Sequence, residues 1–128
     1  MQSKQISVFL ENRGGRLSEV LGVLDRANVN IISCSLADTS DYGLLRIIVD
    51  DSEKGSKALS DNGFSAKVSL VTIVSVKHLA GSLNALVNKL SESGINVEYM
   101  YGLSLYGENA SIVLKTDNPD LAEKVLTE

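Results

Sequence analysis

The spacing of apolar residues predicts a strand, a helix and two more strands at the start of the chain. "QISVFL" alternates apolar and polar positions, as a half-buried strand does. "NIISCSLAD" and "YGLLRIIVD" predict two later strands, because the turn-forming "TSD" separates them. Between the first strand and these two, apolar residues recur at the spacing i, i+3, i+4 and i+7, which is one face of a helix: Leu17, Val20, Leu21 and Leu24.

A second helix and a fourth strand complete this half of the chain. "SEKGSKALSDNG" predicts a shorter helix, with Ser52 as its N-cap and Gly63 as its C-cap. "FSAKVSL" predicts the strand that follows. The predicted order is therefore β-α-β-β-α-β, and the fold class is α+β.

The same pattern occurs a second time. A shift of 66 residues lays "ISVFLENRGGRLSEVLGVLDRANVNI" over "TIVSVKHLAGSLNALVNKLSESGINV". Asn28 then falls on Gly94, and Asn and Gly are the residues that best tolerate a left-handed helix end. The identities in the overlay include Gly15 with Gly81, Leu17 with Leu83, and Asn30 with Asn96. The chain is therefore predicted to hold two repeats, residues 1–69 and residues 70–128.

The second repeat is predicted to lack its last strand. "VTIVSV", "INVEYMYGLSLY" and "ASIVLK" predict strands, and a helix begins at Pro119 with Asn118 as its N-cap. No strand pattern follows that helix, which would leave the apolar "VTIVSV" as an open sheet edge. We expect a second chain, or the long "FSAKVSLVTIVSV" ribbon, to cover this edge unless the sequence is clipped.

Composition excludes several classes of partner. A net charge of −4 without a basic run argues against nucleic acid. No apolar stretch approaches the roughly 20 residues of a membrane span, so we expect no membrane contact. Cys34 is the single cysteine, which rules out an internal disulfide and suits a cytoplasmic protein. The best interpretation of Cys34 itself is a small core-filling residue.

Catalytic chemistry has no support in the sequence. His78 is the single histidine, and no serine or cysteine has a base partner placed by sequence. One histidine and one distant cysteine do not make a zinc site, and the acidic clusters lack calcium-loop spacing. We therefore predict a protein that is not an enzyme, with no cofactor and no metal site.

The stretch "NRGGRLSEV" is the best candidate for a binding site. It lacks the third glycine of a dinucleotide loop and the Lys-Ser/Thr pair of a P-loop. A helix that starts near Arg16 leaves N–H groups unpaired at the positive end of its dipole, where a carboxylate can bind. Gly14 and Gly15 remove Cβ atoms from that approach, and Arg13 and Arg16 add positive charge. The alternative is that the two glycines only make a tight turn.

These residues resemble a known family. "ENRGGRLSEVLGVLDRANVNI" is similar to the opening of ACT domains, which runs Glu-Asn-Arg-Pro-Gly, then Leu, and later Asn-Ile. The first copy departs in Gly14, which stands in the proline position. The second is looser, with His78 at the place of Asn12 and Ala80 at that of the proline. The resemblance covers both repeats except the missing strand, and it is closest to stand-alone tandem ACT proteins of the amino-acid-binding type.

The resemblance implies a fold and a set of ligand-binding residues. ACT repeats are ferredoxin-like and would lie side by side through their second strands, giving one eight-stranded antiparallel sheet with helices on one face. A small ligand would lie at the interface, between the loop before the first helix and the neighbour's second strand. The first loop and strand are Asn12, Gly14, Gly15, Arg16, Leu17, Asn30 and Ile31; the second are His78, Ala80, Gly81, Ser82, Leu83, Asn96 and Val97.

The predicted function is non-catalytic binding of a free amino acid by a regulatory or sensor protein. Helix N–H groups would take the α-carboxylate, and strand carbonyls with an Asn side chain would take the α-ammonium. We expect a homodimer, allosteric regulation of a metabolic enzyme, and occupation of the first loop rather than the second. The alternative is a ligand-free interaction module or regulatory subunit, in which the asparagines are turn residues and Leu17 and Leu83 are core residues.

Overall fold

The computed structural model describes residues 1–11, 14–38, 42–104 and 107–127. Its six strands and four helices follow the predicted order, except that the two predicted strands "FSAKVSL" and "VTIVSV" form one continuous strand. No helix in the described ranges is long and apolar enough to cross a membrane. The elements are β1 Gln2–Glu11, α1 Arg16–Arg26, β2 Ile31–Asp38, β3 Tyr42–Val49, α2 Ser52–Asp61, β4 Ser65–Lys77, α3 Ser82–Glu92, β5 Val97–Ser104, β6 Asn109–Thr116 and α4 Pro119–Thr127.

The strands form a sheet in the order β2-β3-β1-β4-β6-β5. The pairs β1–β3, β2–β3, β4–β6 and β5–β6 are antiparallel. The α+β class and the ferredoxin-like repeats are thereby confirmed. The eight strands and the pairing through second strands that the resemblance implied are wrong for the single chain, because the described residues supply six strands and β2 and β5 end the order at opposite edges.

Residues 4–69 form one compact unit with a complete β-α-β-β-α-β order. Alternate residues of β1, including Ile6, point into its core together with Ile47 of β3. The helices α1 and α2 cover this face and contribute Val20, Leu24 and Leu59, which are fully buried. The apolar residues that alternate along the strands thus pack against the apolar residues at helical spacing in α1 and form one core.

Residues 70–128 form the second unit together with Met1–Ser3. Leu90 of α3 and Ala122 of α4 pack onto Ile112 and Leu114 of β6. The two helices therefore cover one face of this unit's strands, as α1 and α2 do in the other.

The start of β1 covers the edge of β4 that the sequence leaves open. Met1 and Ile73 exchange two backbone hydrogen bonds, of 2.7 and 2.8 Å. The side chain of Gln2 donates to Asp120 of α4 at 2.8 Å, and the amino terminus lies 3.0 Å from a carboxylate oxygen of Glu123. The first residues of the chain thus take the place of the missing fourth strand, rather than the β4 ribbon alone.

Helix ends follow the local sequence, with two corrections at α2. Asn28 and Gly94 both take a left-handed conformation, with φ of 58° and 74°, as predicted. Asn118 accepts a hydrogen bond from the N–H of Leu121 at 3.1 Å and so caps α4. The predicted N-cap Ser52 is wrong, because extended Asp51 caps α2 by accepting from a backbone N–H in the first turn, at 3.1 Å. The predicted C-cap Gly63 is also wrong by one residue, because Asn62 is the C-cap and Gly63 follows it with φ of 82°.

Candidate functional site

The two glycines that the repeat superposes have the same backbone conformation. Gly15 precedes α1 with φ 89° and ψ −14°, and Gly81 precedes α3 with φ 87° and ψ −11°. Side chains with a Cβ rarely adopt this conformation, so glycine is required at both turns. A Cβ built on Gly14 or Gly15 meets no atom of the described residues within 4 Å.

Both helices begin with N–H groups that the helix itself does not pair. The carbonyl of Gly15 accepts from Glu19 at 2.9 Å, and that of Gly81 accepts from Ala85 at 3.0 Å, so the N–H groups before these have no intrahelical acceptor. In the second loop, Ser82 donates its N–H to the carbonyl of Leu79 at 3.2 Å. The start of each helix carries a partial positive charge.

Arg16 is held in place beside the first loop. Its guanidinium carbon lies 4.4 Å from the ring centroid of Phe64, a cation–π contact. One guanidinium nitrogen pairs with the carboxylate of Glu19, and the side chain is 17% exposed. Its Nε is buried and has no hydrogen-bond partner in the part of the chain that the structure describes. A guanidinium carries five N–H donors, so Arg16 keeps donors for a carboxylate.

A cavity of about 470 Å³ opens next to Arg16. The rings of Phe9 and Tyr42 form one wall, with their centroids 5.3 Å apart and their planes tilted by 46°. Both side chains remain accessible, at 51% and 42% exposure. The full lining is Phe9, Leu10, Glu11, Arg16, Tyr42, Gly63 and Ser65.

The second unit has a cavity of about 570 Å³ beside its own loop. The N–H of His78 donates to the carbonyl of Glu108 at 2.8 Å, which fixes the loop against the start of β6. The described residues that line this cavity are Lys77, His78, Leu79, Glu108 and Asn109, and no Phe or Tyr is among them.

The asparagines before the second strands are bonded to aspartates. Asn30 and Asp50 exchange two hydrogen bonds: the N–H of Asn30 donates to a carboxylate oxygen at 3.0 Å, and the N–H of Asp50 donates to the carbonyl of Asn30 at 3.1 Å. Asn96 and Asp117 repeat this exchange with the same two distances. The backbone N–H of each asparagine is thus already paired, whereas its carbonyl keeps a second lone pair. Both aspartates directly follow the third strand of their repeat, and this recurrence is the sequence signal that could have identified them.

The loop before the first helix and the start of the second strand lie at opposite ends of each unit. Glu11, at the loop, pairs with Tyr42, whereas Ile31 pairs with Val49 at the other end of β3. The 11-residue helix α1, about 16 Å long, connects the two ends. The loop and its own Asn30 therefore do not form one site, and the predicted pairing with a neighbour's strand stays a prediction.

The remaining predicted site residues have mixed positions. Ile31 and Val97 pack against the cores from the rims of β2 and β5. Leu17 and Leu83 are 37% and 36% exposed, so they face outward rather than into the core. Ala80 is exposed and Ser82 is half-buried. Asn12 lies outside the described residues.

Cys34 is exposed on β2, so its interpretation as a core residue is wrong. Sequence reasoning also missed Phe9, Phe64 and Tyr42, whose rings stand at the first cavity or behind Arg16. Among the described residues, no group of three or more His, Cys, Asp or Glu could hold a metal ion.

Comparison with known proteins places the whole chain in one family. The family model for the ACT domain pair matches residues 1–128. Protein BT0572 from Bacteroides thetaiotaomicron is 38% identical and superposes with a TM-score of 0.93, covering 99% of this chain and 88% of that one. No curated protein sequence gives a significant match.

Two more distant structures share the fold. The regulatory subunit of aspartate kinase from Thermus thermophilus, in its ligand-free form, is 13% identical with a TM-score of 0.71, covering 99% of this chain and 91% of that one. The regulatory subunit of aspartate kinase from Thermus flavus is 14% identical with a TM-score of 0.69, at 99% and 94% coverage. The family match over the full length confirms the predicted resemblance: the chain belongs to the ACT domain pair family.

Proposed function

We propose that this chain is a non-catalytic regulatory protein that binds a free amino acid at its first loop. The observation that carries the proposal is the cavity that Arg16 lines, because Arg16 is also the first residue of α1, so its guanidinium and the positive start of that helix lie at one place. Both groups favour a carboxylate, and the accessible wall beside them can take a side chain. The distant neighbours that are regulatory subunits of aspartate kinase support a regulatory role for this fold.

We further propose that the chain acts as a homodimer paired through β2. This strand lies at a sheet edge, exposes Ile32 and Leu36, and has no charged residue before Asp38. Uncharged apolar edges pair readily with another strand. A ligand that bound only the paired state would stabilise it by no more than its difference in affinity for the two states. A metabolic enzyme is the expected partner to be regulated.

A ligand-free interaction module is the second candidate, and the second loop favours it. There Ser82 replaces the arginine, one helix N–H is already bonded to Leu79, and His78 and Ala80 replace the motif residues. If the first loop, like the second, binds no small ligand, the function of the protein is to bind a partner protein at the β2 edge.

A thermal-shift screen of the twenty amino acids separates the two candidates. An amino acid at 100 times its Kd adds roughly 2.7 kcal/mol to the free energy of unfolding. Titration calorimetry on each hit then compares Arg16→Gln with the parent chain. We expect a hit whose affinity falls in this variant. If no amino acid raises the melting temperature at millimolar concentration, the sensor function is wrong and the interaction module takes its place.

The matched variants Gly15→Val and Gly81→Val identify the loop that is used. Both glycines have the same strained backbone, so the two substitutions carry a similar folding cost. Only Gly15→Val should abolish binding, with the helix and sheet signals of circular dichroism retained. Equal losses of binding in both variants would contradict the assignment to the first loop.

A further inference from the structure

We propose that the first cavity selects amino acids with an aromatic side chain, and that Phe9 and Tyr42 are the residues that determine this specificity. The inference rests on the proposed function, because it names the class of ligand for that same site. Arg16 would hold the α-carboxylate, and the aromatic pair would receive the ring of the ligand.

The rings of Phe9 and Tyr42 are placed for such a contact. They lie side by side on strands β1 and β3, tilted by 46° and still largely accessible. Aromatic rings favour tilted or offset neighbours at centroid distances of about 4.5–7 Å, so a third ring can add to the pair. An aromatic pair left open on a cavity wall is also apolar surface whose burial by a ligand is favourable.

The second cavity shows that these rings are not required by the fold. In the strand ladders, Glu11 pairs with Tyr42 in the first repeat and Lys77 pairs with Asn109 in the second. Asn109 therefore holds the ladder position of Tyr42. The repeat shift likewise places Ser75 at the position of Phe9. The same backbone thus forms a loop and a cavity with no ring at either position.

Arg16 gives the cavity a polar group at a fixed place. Its stacking on Phe64 and its pairing with Glu19 hold the guanidinium. A ligand with both a carboxylate and a ring meets the donor and the apolar wall together. A carboxylate without a ring, or a ring without a carboxylate, meets only one of them.

The test uses the full chain and compares ligands by titration calorimetry. L-phenylalanine is the probe, with L-alanine and L-glutamate as amino acids without a ring and phenethylamine as a ring without the carboxylate. L-tryptophan gives an independent readout, because the chain contains no tryptophan and all indole emission comes from the ligand. We expect L-phenylalanine to bind at least about tenfold more tightly than the other three probes.

Two variants copy the second repeat into the first: Phe9→Ser and Tyr42→Asn. Both residues are accessible, so the variants should fold, and each melting curve checks this. The matched control is Val68→Ser, an apolar residue of the same unit that is 41% exposed and does not line this cavity. We expect about a tenfold loss of L-phenylalanine affinity in each cavity variant and no loss in the control. Should Phe9→Ser fail to fold, Tyr42→Asn carries the test.

Each possible result of these titrations either supports the aromatic specificity or overturns a stated part of the proposal. Tight binding of L-phenylalanine that is lost in the cavity variants alone supports the inference. Equal binding of L-alanine or L-glutamate, sensitive to Arg16→Gln, overturns the aromatic specificity and leaves the proposed function in place. Binding of L-phenylalanine that is unchanged in both cavity variants overturns the assignment to Phe9 and Tyr42. Binding of none of the twenty amino acids overturns the proposed function as well.

Discussion

Replacing Gly15 by alanine places a Cβ on backbone that is held at φ 89° and ψ −14°. For a residue with a Cβ, a left-handed conformation costs about 1–2 kcal/mol. Alanine also restricts the unfolded chain, which returns about 0.4–1 kcal/mol. The free energy of unfolding should therefore fall by about 0.8 kcal/mol, and by no more than about 1.6 kcal/mol. No atom of the residues that the structure describes lies within 4 Å of the new Cβ, so the expected loss is that of the backbone conformation.

Gly14→Ala is the matched control. Gly14 is the preceding residue, its φ is outside the left-handed range, and its added Cβ also meets nothing within 4 Å. Only the restriction of the unfolded chain by alanine then changes the stability, so the variant should be as stable as the parent chain or more stable by up to about 1 kcal/mol. Gly81→Ala should behave like Gly15→Ala, since its φ is 87°.

Urea denaturation followed by circular dichroism measures these differences. A change of stability alone moves the midpoint concentration and leaves the slope m unchanged. The expected order of midpoints is Gly14→Ala at or above the parent chain, and Gly15→Ala and Gly81→Ala below it. If Gly14→Ala and Gly15→Ala shift the midpoint by the same amount in the same direction, the left-handed turn does not require glycine and our reasoning about both loops is refuted.

Three further predictions concern the contacts around the site. Asp50→Ala and Asp117→Ala should each lower the free energy of unfolding, measured by urea denaturation, by about 1 kcal/mol, because an asparagine N–H loses its acceptor. Asp50→Asn keeps an acceptor oxygen, so its free energy of unfolding should fall by less. Deletion of Met1–Ser3 should lower the melting temperature by removing two strand hydrogen bonds worth about 1 kcal/mol each; an unchanged melting curve would contradict this. In analytical ultracentrifugation, Leu36→Lys on β2 should reduce the dimer fraction and Met100→Lys on β5 should not; the opposite result would move the dimer interface.

The elements could be predicted from the sequence because their signals are local. The spacing of Val20 and Leu24 fixes the buried face of α1, and the left-handed Asn28 follows from its place after that helix. The wrong cap of α2 is also local: Asp51 and Ser52 are adjacent cap-forming residues, and the choice depends on which one has extended backbone. The packing of Met1–Ser3 against residues 70–128 is not local, and no periodicity reports it.

The candidate site was predictable only in its backbone. The glycine turns could be predicted from the repeat, because a backbone conformation that disfavours a Cβ selects glycine at the same position of both copies. The aromatic wall does not, since Phe9 and Tyr42 are 33 residues apart and meet only through the ladder of β1 and β3. The exposure of Leu17 was missed for a related reason: helical spacing defines an apolar face, while the width of that face covered by the sheet depends on packing.

The two repeats differ in a way that bears on which loop binds. Positions that set the backbone recur, namely the left-handed glycines before α1 and α3 and the asparagine–aspartate exchange at the strand entries. Positions that face the cavities do not recur: two rings and a guanidinium in the first repeat correspond to serine, asparagine and serine in the second. A wall that the fold needed would be found in both, as the glycines are. The fold therefore does not dictate the side chains at the first cavity. For this reason we assign the ligand specificity to the aromatic pair rather than to the loop.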